Sequence, residues 1–203
     1  MEAWTGYGMK SLNDKDYVLM GLPERFRNAN WAFMQKHELA SHFEKYLKNL
    51  SLARQQGIGC FIGGIPSSGK SYSAAVIAKA FRQNFYSVQW LDAIEGYQLL
   101  SWNREFQDPE YGTWMVRALA VDLLIIDNFG AEKATNRTKI MLDVVKRRID
   151  SKSPTVLTTT QTPNQLLVTY DGESMAWIKD TMKIVELQKR IESENKKFIS
   201  DNF

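Results

Sequence analysis

One glycine-rich segment constrains the fold of this chain more than any other feature of its sequence. The segment fits the pattern G-x-x-x-x-G-K-[ST] at every position, and it consists of Gly64, Ile65, Pro66, Ser67, Ser68, Gly69, Lys70 and Ser71. A loop of this kind requires a strand before it and a helix after it. The short run Ile58–Ile62 is apolar, and Ser73–Phe81 is a helical pattern of small residues. The segment therefore predicts an α/β fold with the loop between a buried strand and a helix.

The rest of the chain alternates between strand and helix patterns. Strand patterns occur at Tyr86–Leu91, Val121–Ile126, Thr155–Thr160 and, more weakly, Ile184–Leu187. Helical patterns occur at Asn28–Gln56, Ala93–Trp102 and Lys139–Ile149. The run Val121–Ile126 is almost continuously apolar, as expected of a strand that is covered on both faces. The sequence predicts a parallel sheet flanked by helices, the architecture of the P-loop NTPases.

The residue types in the glycine-rich loop suit it to binding the phosphates of a nucleotide. Glycines adopt positive φ and let backbone N–H groups approach phosphate oxygens. The helix that follows directs its amino-terminal amides at the same anion. Lys70 brings a positive charge to the β- and γ-phosphates, and the Ser71 hydroxyl can ligate Mg²⁺. We expect the nucleotide to bind at Gly64–Ser71, together with Tyr72 in the first helical turn.

A second motif with a carboxylate follows about sixty residues later. The strand pattern at Val121–Ile126 ends in Asp127 and Asn128. A carboxylate at the carboxyl end of such a strand can hold Mg²⁺ through water, so Asp127 and Ser71 are the predicted metal ligands. Asn128 can position a water molecule but cannot accept its proton. The nearest carboxylates in sequence are Glu132 and Asp122, and in a regular strand Asp122 points away from Asp127.

The composition excludes several classes of protein and leaves nucleic-acid binding open. The chain of 203 residues has a single cysteine, Cys60, which excludes an intramolecular disulfide and favours a reducing compartment. The net charge is only +3. This is too small for tight DNA binding by one subunit, although an assembly would multiply the contacts. Lys146, Arg147 and Arg148 form the densest basic run, at a helix end. They either complement the helix dipole or contact DNA phosphate or another subunit.

Four segments in order resemble the DnaC/DnaI/IstB group of AAA+ ATPases, the helicase loaders and transposition ATP-binding proteins. The segments are Leu22–Arg27, Gly63–Ser71, Asp127–Glu132 and Pro154–Thr160. The first looks like the entry segment of the group, and the third is similar to its D-D-[IL]-G-A-E motif. The resemblance covers roughly residues 22–190. It implies a P-loop ATPase fold of the AAA+ or RecA-like type with little or no carboxy-terminal lid, and ATP and Mg²⁺ as cofactors.

The resemblance also implies roles for residues outside the loop, and some of them depart from the pattern of the group. Thr160 stands at the sensor-1 position, which is usually Asn, and Arg190 lies near the sensor-2 arginine. The segment Gly172–Ile178 falls where the group has G-E-R-x-x-x-R, so the expected arginine finger is absent, and Lys179 is the neighbouring cation that can substitute for it. With Asn128 in place of a carboxylate, these departures predict a weak ATPase.

The resemblance finally implies partners and a division of the chain. Residues 1–21 are interpreted as an arm that contacts a partner, and residues 22–203 as the ATPase domain. The expected partners are a replicative helicase, single-stranded DNA and further copies of this chain in a ring or filament, with no membrane contact. The expected location is the cytoplasm of a bacterial or phage-infected cell. Two alternatives remain: a transposition or genome-handling ATPase on double-stranded DNA, and a nucleotide-dependent switch or inhibitor without useful turnover.

Overall fold

A five-stranded parallel sheet organises the part of the chain that the computed structural model describes, which is residues 10–106, 109–131 and 139–191. The strands are β1 (Gly59–Gly64), β2 (Val88–Asp92), β3 (Leu123–Asp127), β4 (Thr155–Thr159) and β5 (Met182–Leu187). Their order across the sheet is β2-β3-β4-β1-β5. All four pairings are parallel, so the carboxyl ends of the strands lie at one edge. The predicted fold class is confirmed.

Helices cover both faces of the sheet. They are α1 (Asp14–Met20), α2 (Trp31–Lys36), α3 (Ala40–Lys48), α4 (Leu50–Gln56), α5 (Lys70–Gln83), α6 (Ala93–Phe106), α7 (Pro109–Ala120), α8 (Lys139–Asp150), α9 (Pro163–Thr169) and α10 (Gly172–Thr181). A short 3₁₀ helix, Glu24–Phe26, lies between α1 and α2. Among the described residues, β5 is the last regular element and no lid of helices follows it. None of the helices in the described ranges is both long and apolar enough to span a membrane.

The two faces of the sheet form two separate apolar cores. Alternate residues of β3 point to opposite faces, so Leu123 and Ile125 join the core beneath α3 and α5, whereas Leu124 and Ile126 join the core beneath α8 and α10. All four of these side chains are fully buried. This explains why the strand shows no alternation of apolar and polar residues: both of its faces are covered.

The helical pattern predicted across Asn28–Gln56 is three helices in the structure. The chain breaks after α2 because Glu38 has φ 61°, in the left-handed region that ends a helix. A second break falls at Asn49, between α3 and α4. The periodicity found the buried residues Phe43, Leu47 and Leu50 correctly, because all three lie in the core. It missed the breaks, since neither position carries glycine or proline.

The segment interpreted as an arm contains a helix where the structure describes it, from residue 10 onward. Helix α1 begins at a capping box formed by Asn13 and Asp16, and it ends at Gly21, which has φ 63°. Met20 lies in the core with 1% of its surface exposed. Residues 14–20 are therefore packed against the domain. A partner-binding role for residues 1–9 stays a prediction, because they lie outside the described part of the chain.

The basic run at the end of α8 does not form one charged surface. Arg147 is exposed and Lys146 half-buried, but Arg148 is fully buried. The Arg148 guanidinium donates hydrogen bonds to the backbone oxygens of Ala118, Leu119, Val121 and Pro154 and to the Thr155 hydroxyl. Burial lowers its pKa to about 10. Contact with DNA or a neighbouring subunit, one of the two roles considered for the run, does not hold for Arg148, which joins the end of α7 to the start of β4.

Candidate nucleotide-binding site

The glycine-rich loop lies between β1 and α5, as its sequence predicts. Gly64 has φ 143°, and a Cβ atom there would lie 2.1 Å from the Leu187 carbonyl oxygen of β5. Gly69 has φ 89°, and a Cβ atom there would lie 2.8 Å from side-chain atoms of Leu39 and Ile191. The positive φ favours glycine at both positions, and at Gly64 the backbone of Leu187 also leaves no space for a side chain. The loop is thus held in one shape by β5 and by α3.

The loop presents backbone donors and one lysine to its interior. Helix α5 begins at Lys70 with Gly69 as its N-cap residue, and the first amides of a helix have no partner within it. The Lys70 ammonium donates a hydrogen bond to the Ile65 carbonyl, at 2.6 Å, and only 7% of the residue is exposed. Burial lowers the pKa of Lys70, and the nearby Asp127 carboxylate opposes that effect. This arrangement concentrates positive potential where an anion can accept hydrogen bonds from the amides.

Asp127 connects the end of the loop, at Ser71, to the neighbouring strand β4. It lies at the carboxyl end of β3 with 1% of its surface exposed. Its Oδ1 accepts a hydrogen bond from the Ser71 hydroxyl at 2.7 Å, and it also accepts one from the Thr158 hydroxyl of β4. The same Thr158 oxygen accepts the backbone N–H of Asn128, at 3.1 Å. The two predicted metal ligands, Ser71 and Asp127, are therefore adjacent in the structure.

The residues at this edge fit a nucleotide with Mg²⁺. The hydroxyl and carboxylate oxygens of Ser71 and Asp127 are hard ligands of the kind that Mg²⁺ prefers. Magnesium usually binds through one or two such protein ligands together with water and substrate phosphates. The amides of the loop and the Lys70 ammonium suit the phosphates. The loop is therefore the candidate site for the phosphates, and Ser71 and Asp127 are the candidate ligands of the ion.

A family model confirms what the geometry indicates. The model of the IstB-like ATP-binding proteins matches residues 14–181, which is most of the chain and includes the loop, Asp127 and all the strands except β5. The chain belongs to the IstB-like ATP-binding protein family. The match begins at the first residue of α1, so this helix is part of the family domain.

Solved structures confirm the fold of this IstB-like chain. The DnaC helicase loader superposes with a TM-score of 0.68 at 16% identity, over 81% of this chain and 99% of that one. DnaI superposes with a TM-score of 0.64 at 18% identity, over 83% of this chain and 95% of that one. A replication initiator DnaA bound to AMPPCP and single-stranded DNA gives 0.60 at 17% identity, over 79% of this chain and 50% of that one. No curated protein sequence matches the chain.

Three other predicted site residues of the IstB-like chain lie near the loop without a side-chain contact that fixes their role. Thr160 is exposed immediately after β4. Arg190 is exposed and precedes Ile191, whose backbone N–H donates to the Ser67 carbonyl at 2.8 Å. The Tyr72 hydroxyl accepts the Asn30 N–H, and its ring packs on Phe33. Any contact of Tyr72 with phosphate therefore falls to its backbone amide, and the roles of Thr160 and Arg190 stay predictions.

The two positions where the resemblance leads one to expect arginine lie on the buried face of α10. Ser174 and Ile178 are each 1% exposed, and the Ser174 hydroxyl donates to the Asp171 carboxylate that caps the helix. Both positions of α10 therefore face the core of the domain. Lys179, the substitute proposed from sequence, is exposed in the last turn of the same helix.

Carboxylates other than Asp127 differ in their distance from the carboxyl edge of the sheet. Asp122 lies at the opposite end of β3, where it accepts hydrogen bonds from Arg54 and Ser87, so it cannot act at the carboxyl edge. Glu132 lies outside the described residues. Asp92, at the end of β2, accepts a hydrogen bond from the Asn128 side chain at 2.7 Å. Asp92 and Thr158 are not among the site residues predicted from sequence, although their places at strand ends beside Asp127 could have indicated them.

Proposed function

We propose that this protein binds Mg·ATP at the glycine-rich loop and hydrolyses it slowly while acting with a replicative helicase on single-stranded DNA. The observation that carries the ATP-binding part is the contact between Ser71 and Asp127, which closes the loop against β3 within a domain of the IstB-like ATP-binding family. The likeness of the fold to the DnaC and DnaI structures supports the choice of partner.

Each residue of the site has a separate task in this proposal. The amides at the start of α5 and the Lys70 ammonium bind the phosphates, and Lys70 stabilises charge that develops on the γ-phosphate. Thr158 fixes the Asp127 carboxylate through its hydroxyl. Magnesium, once bound by Ser71 and Asp127, neutralises phosphate charge. Asn128 orients a water molecule with its carbonyl oxygen but leaves the proton of that water in place.

Slow turnover follows from two features of the described residues. Asn128 stands where a carboxylate would activate water, and the family arginine positions on α10 are occupied by the buried Ser174 and Ile178. An arginine that reaches the phosphates from a second subunit is worth about 10³ to 10⁵ in rate. A protein with neither group uses ATP occupancy, more than ATP turnover, to control its assembly.

The substitution Lys70→Ala tests the ATP-binding proposal. Loss of the ammonium at the phosphates should weaken ATP affinity at least about tenfold, as measured by titration calorimetry. Lys79→Ala is the matched control, because Lys79 lies on the same helix but donates to the carbonyls of Arg27 and Ala29. Equal ATP affinity in the wild-type protein and Lys70→Ala would overturn the proposal.

The family match favours a second candidate function for the same site. The family is described as IstB-like, so an ATPase that acts with a transposase on double-stranded DNA is the alternative. Mass spectrometry of proteins that co-purify with this chain, with and without ATP, separates the two. A hexameric helicase that is retained only with ATP supports the first proposal, and a transposase supports the second. If the wild-type protein releases no more phosphate than Lys70→Ala with DNA and partner present, the protein is a nucleotide-dependent switch without turnover.

A further inference from the structure

The Asp92 carboxylate is in direct contact with the Asn128 side chain. Asp92 is the last residue of β2, and it pairs in register with Asp127 of β3, so both side chains lie at the carboxyl edge of the sheet. Its Oδ2 accepts a hydrogen bond from Asn128 Nδ2 at 2.7 Å. A carboxylate therefore lies beside the site at the end of β2, whereas the sequence leads one to look for it at position 128, after β3.

The other oxygen of Asp92 fixes the carboxylate in place. Oδ1 accepts the backbone N–H groups of Ile94, at 2.9 Å, and Glu95, at 3.4 Å, at the start of α6. Asp92 thus caps this helix while its second oxygen holds Asn128. Because both oxygens have partners, the carboxylate has little freedom to rotate away from the Asn128 amide.

The contact decides which end of the Asn128 amide faces Asp92. An ionised carboxylate can only accept hydrogen bonds, so it selects the NH₂ end of the amide and turns Oδ1 in the other direction. The Asn128 backbone is fixed as well, with φ 62° and its N–H on the Thr158 hydroxyl. Oδ1 is then presented as an acceptor, which is the end of the amide that can orient an attacking water.

We infer that Asp92 is a positioning residue for ATP hydrolysis: it holds the Asn128 side chain with its carbonyl oxygen toward the reacting water. This inference rests on the proposed function. It also explains why an amide is compatible with position 128, since a carboxylate there would face Asp92 at hydrogen-bond distance and repel it. The chain carries the carboxylate on β2 and the amide after β3.

The substitution Asp92→Asn tests the inference with little change to the fold. Asparagine caps a helix about as well as aspartate, so α6 keeps its N-cap, whereas the charge that selects the amide orientation is lost. We expect kcat for ATP hydrolysis to fall about tenfold, the loss typical of one hydrogen bond to a charged group, with KM and the Kd for ATP unchanged. Asp143→Asn, which neutralises an exposed carboxylate of α8, should leave kcat at the wild-type value.

Exchanging the two residues separates positioning from a structural role. Asn128→Asp alone places two carboxylates in contact and should lower both kcat and the thermal midpoint. The double substitution Asp92→Asn with Asn128→Asp restores a carboxylate–amide pair in the reverse order. We expect its midpoint to return to that of the wild type and its kcat to reach or exceed the wild-type value, because the carboxylate at position 128 can also accept the proton of water.

Three results would overturn the inference: wild-type kcat in Asp92→Asn, a double variant no faster than Asp92→Asn, or wild-type phosphate release no greater than that of Lys70→Ala. In the last case the ATP-binding proposal still stands if calorimetry shows ATP bound by the wild-type protein and lost in Lys70→Ala. Failure of ATP binding in the wild-type protein instead overturns the proposed function itself, so the two failures are distinguishable.

Discussion

A single hydroxyl group on Thr158 joins the Asp127 carboxylate to the residue that follows it. The hydroxyl donates to Asp127 and accepts the backbone N–H of Asn128. Its position on β4, next to β3 in the sheet, makes this double contact possible. The orientation of Asp127 at the site thus depends on a residue that is 31 positions away in sequence.

Substituting Thr158 by valine should weaken Mg²⁺-dependent ATP binding. Valine keeps the shape of the side chain but removes both hydrogen bonds, one of them to a charged group, which corresponds to about a tenfold loss in affinity. Calorimetric titration with ATP, with and without Mg²⁺, measures the effect. Thr159→Val is the control, since its hydroxyl accepts only the Gln161 N–H. Equal Mg²⁺ dependence in the two variants would contradict the role given to Thr158.

Arg148 shows that a basic residue in a charged run can be a core residue. Its guanidinium reaches four backbone carbonyls and one hydroxyl, and it is the largest fully buried side chain among the described residues. The planar fork of arginine, with five N–H donors, suits this set of acceptors better than a lysine ammonium would.

Replacing Arg148 by methionine should lower the free energy of unfolding by about 3 kcal/mol, because several buried acceptors lose their donor. Denaturant unfolding followed by circular dichroism measures the change. Arg147→Met is the neighbouring control. Because Arg147 is exposed, its loss should change stability by less than about 0.5 kcal/mol. A similar small effect for both variants would show that the Arg148 network does not stabilise the fold.

At the scale of elements, α1 is attached to the domain by one buried carboxylate. Asp16 is 1% exposed, and it forms ion pairs with Lys10 and with Arg82 of α5, the latter at 2.9 Å. These contacts lower the pKa of Asp16 to about 2, with the hydrogen bond from Lys10 as the largest cause, against the opposing effect of burial. The helix is thereby tied to the same helix that follows the phosphate-binding loop.

The Asp16 ion pairs should make part of the free energy of unfolding depend on pH. Because the folded-state pKa lies below the ordinary value of 3.8, the stabilisation is present above about pH 4 and is lost as the pH falls toward 2. Asp16→Asn should therefore be less stable than the wild type at pH 7, with a difference that shrinks between pH 4 and pH 2. Urea unfolding across this pH range measures it. Asp14→Asn, in the same helix with 91% of its side chain exposed, should show no such convergence.

For the whole molecule, the small net charge limits what one subunit can do with DNA. A net charge of +3 gives a single copy little excess of positive charge for phosphate contacts, and Arg148 is buried. Affinity for DNA grows with the number of phosphates that are neutralised, so several copies on one strand would bind far more tightly than one. DNA binding and self-association are therefore expected to depend on each other.

Sedimentation velocity with a single-stranded oligonucleotide tests this expectation. With Mg·ATP, we expect the protein to sediment as an assembly whose DNA affinity rises with protein concentration and falls with salt. Lys70→Ala should remain small under the same conditions, because it lacks nucleotide. A wild-type protein that sediments as one subunit with ATP and DNA both present would contradict the coupling.

Local chemistry explains why the sequence alone determined the loop and the strands. The glycines, lysine and serine of Gly64–Ser71 act through backbone geometry and helix amides that need only adjacent residues. The sequence runs that form β3 and β4 are apolar or β-branched, which is a local property that does not depend on tertiary contacts. These strands were therefore predicted to within two residues. Breaks such as Glu38 were not predicted, because no residue type there demands positive φ.

The tertiary structure alone decided which distant side chains meet. Parallel pairing of β2, β3 and β4 brings Asp92 and Thr158 to Asp127 and Asn128, although no local pattern links them. Packing likewise placed Arg148 in the core and turned the positions of the expected arginines on α10 inward. The sequence thus determined the shape and position of the glycine-rich loop, through short-range backbone chemistry. Only the order of the strands decided which polar groups surround Asp127, because that order depends on the burial of both faces of the sheet.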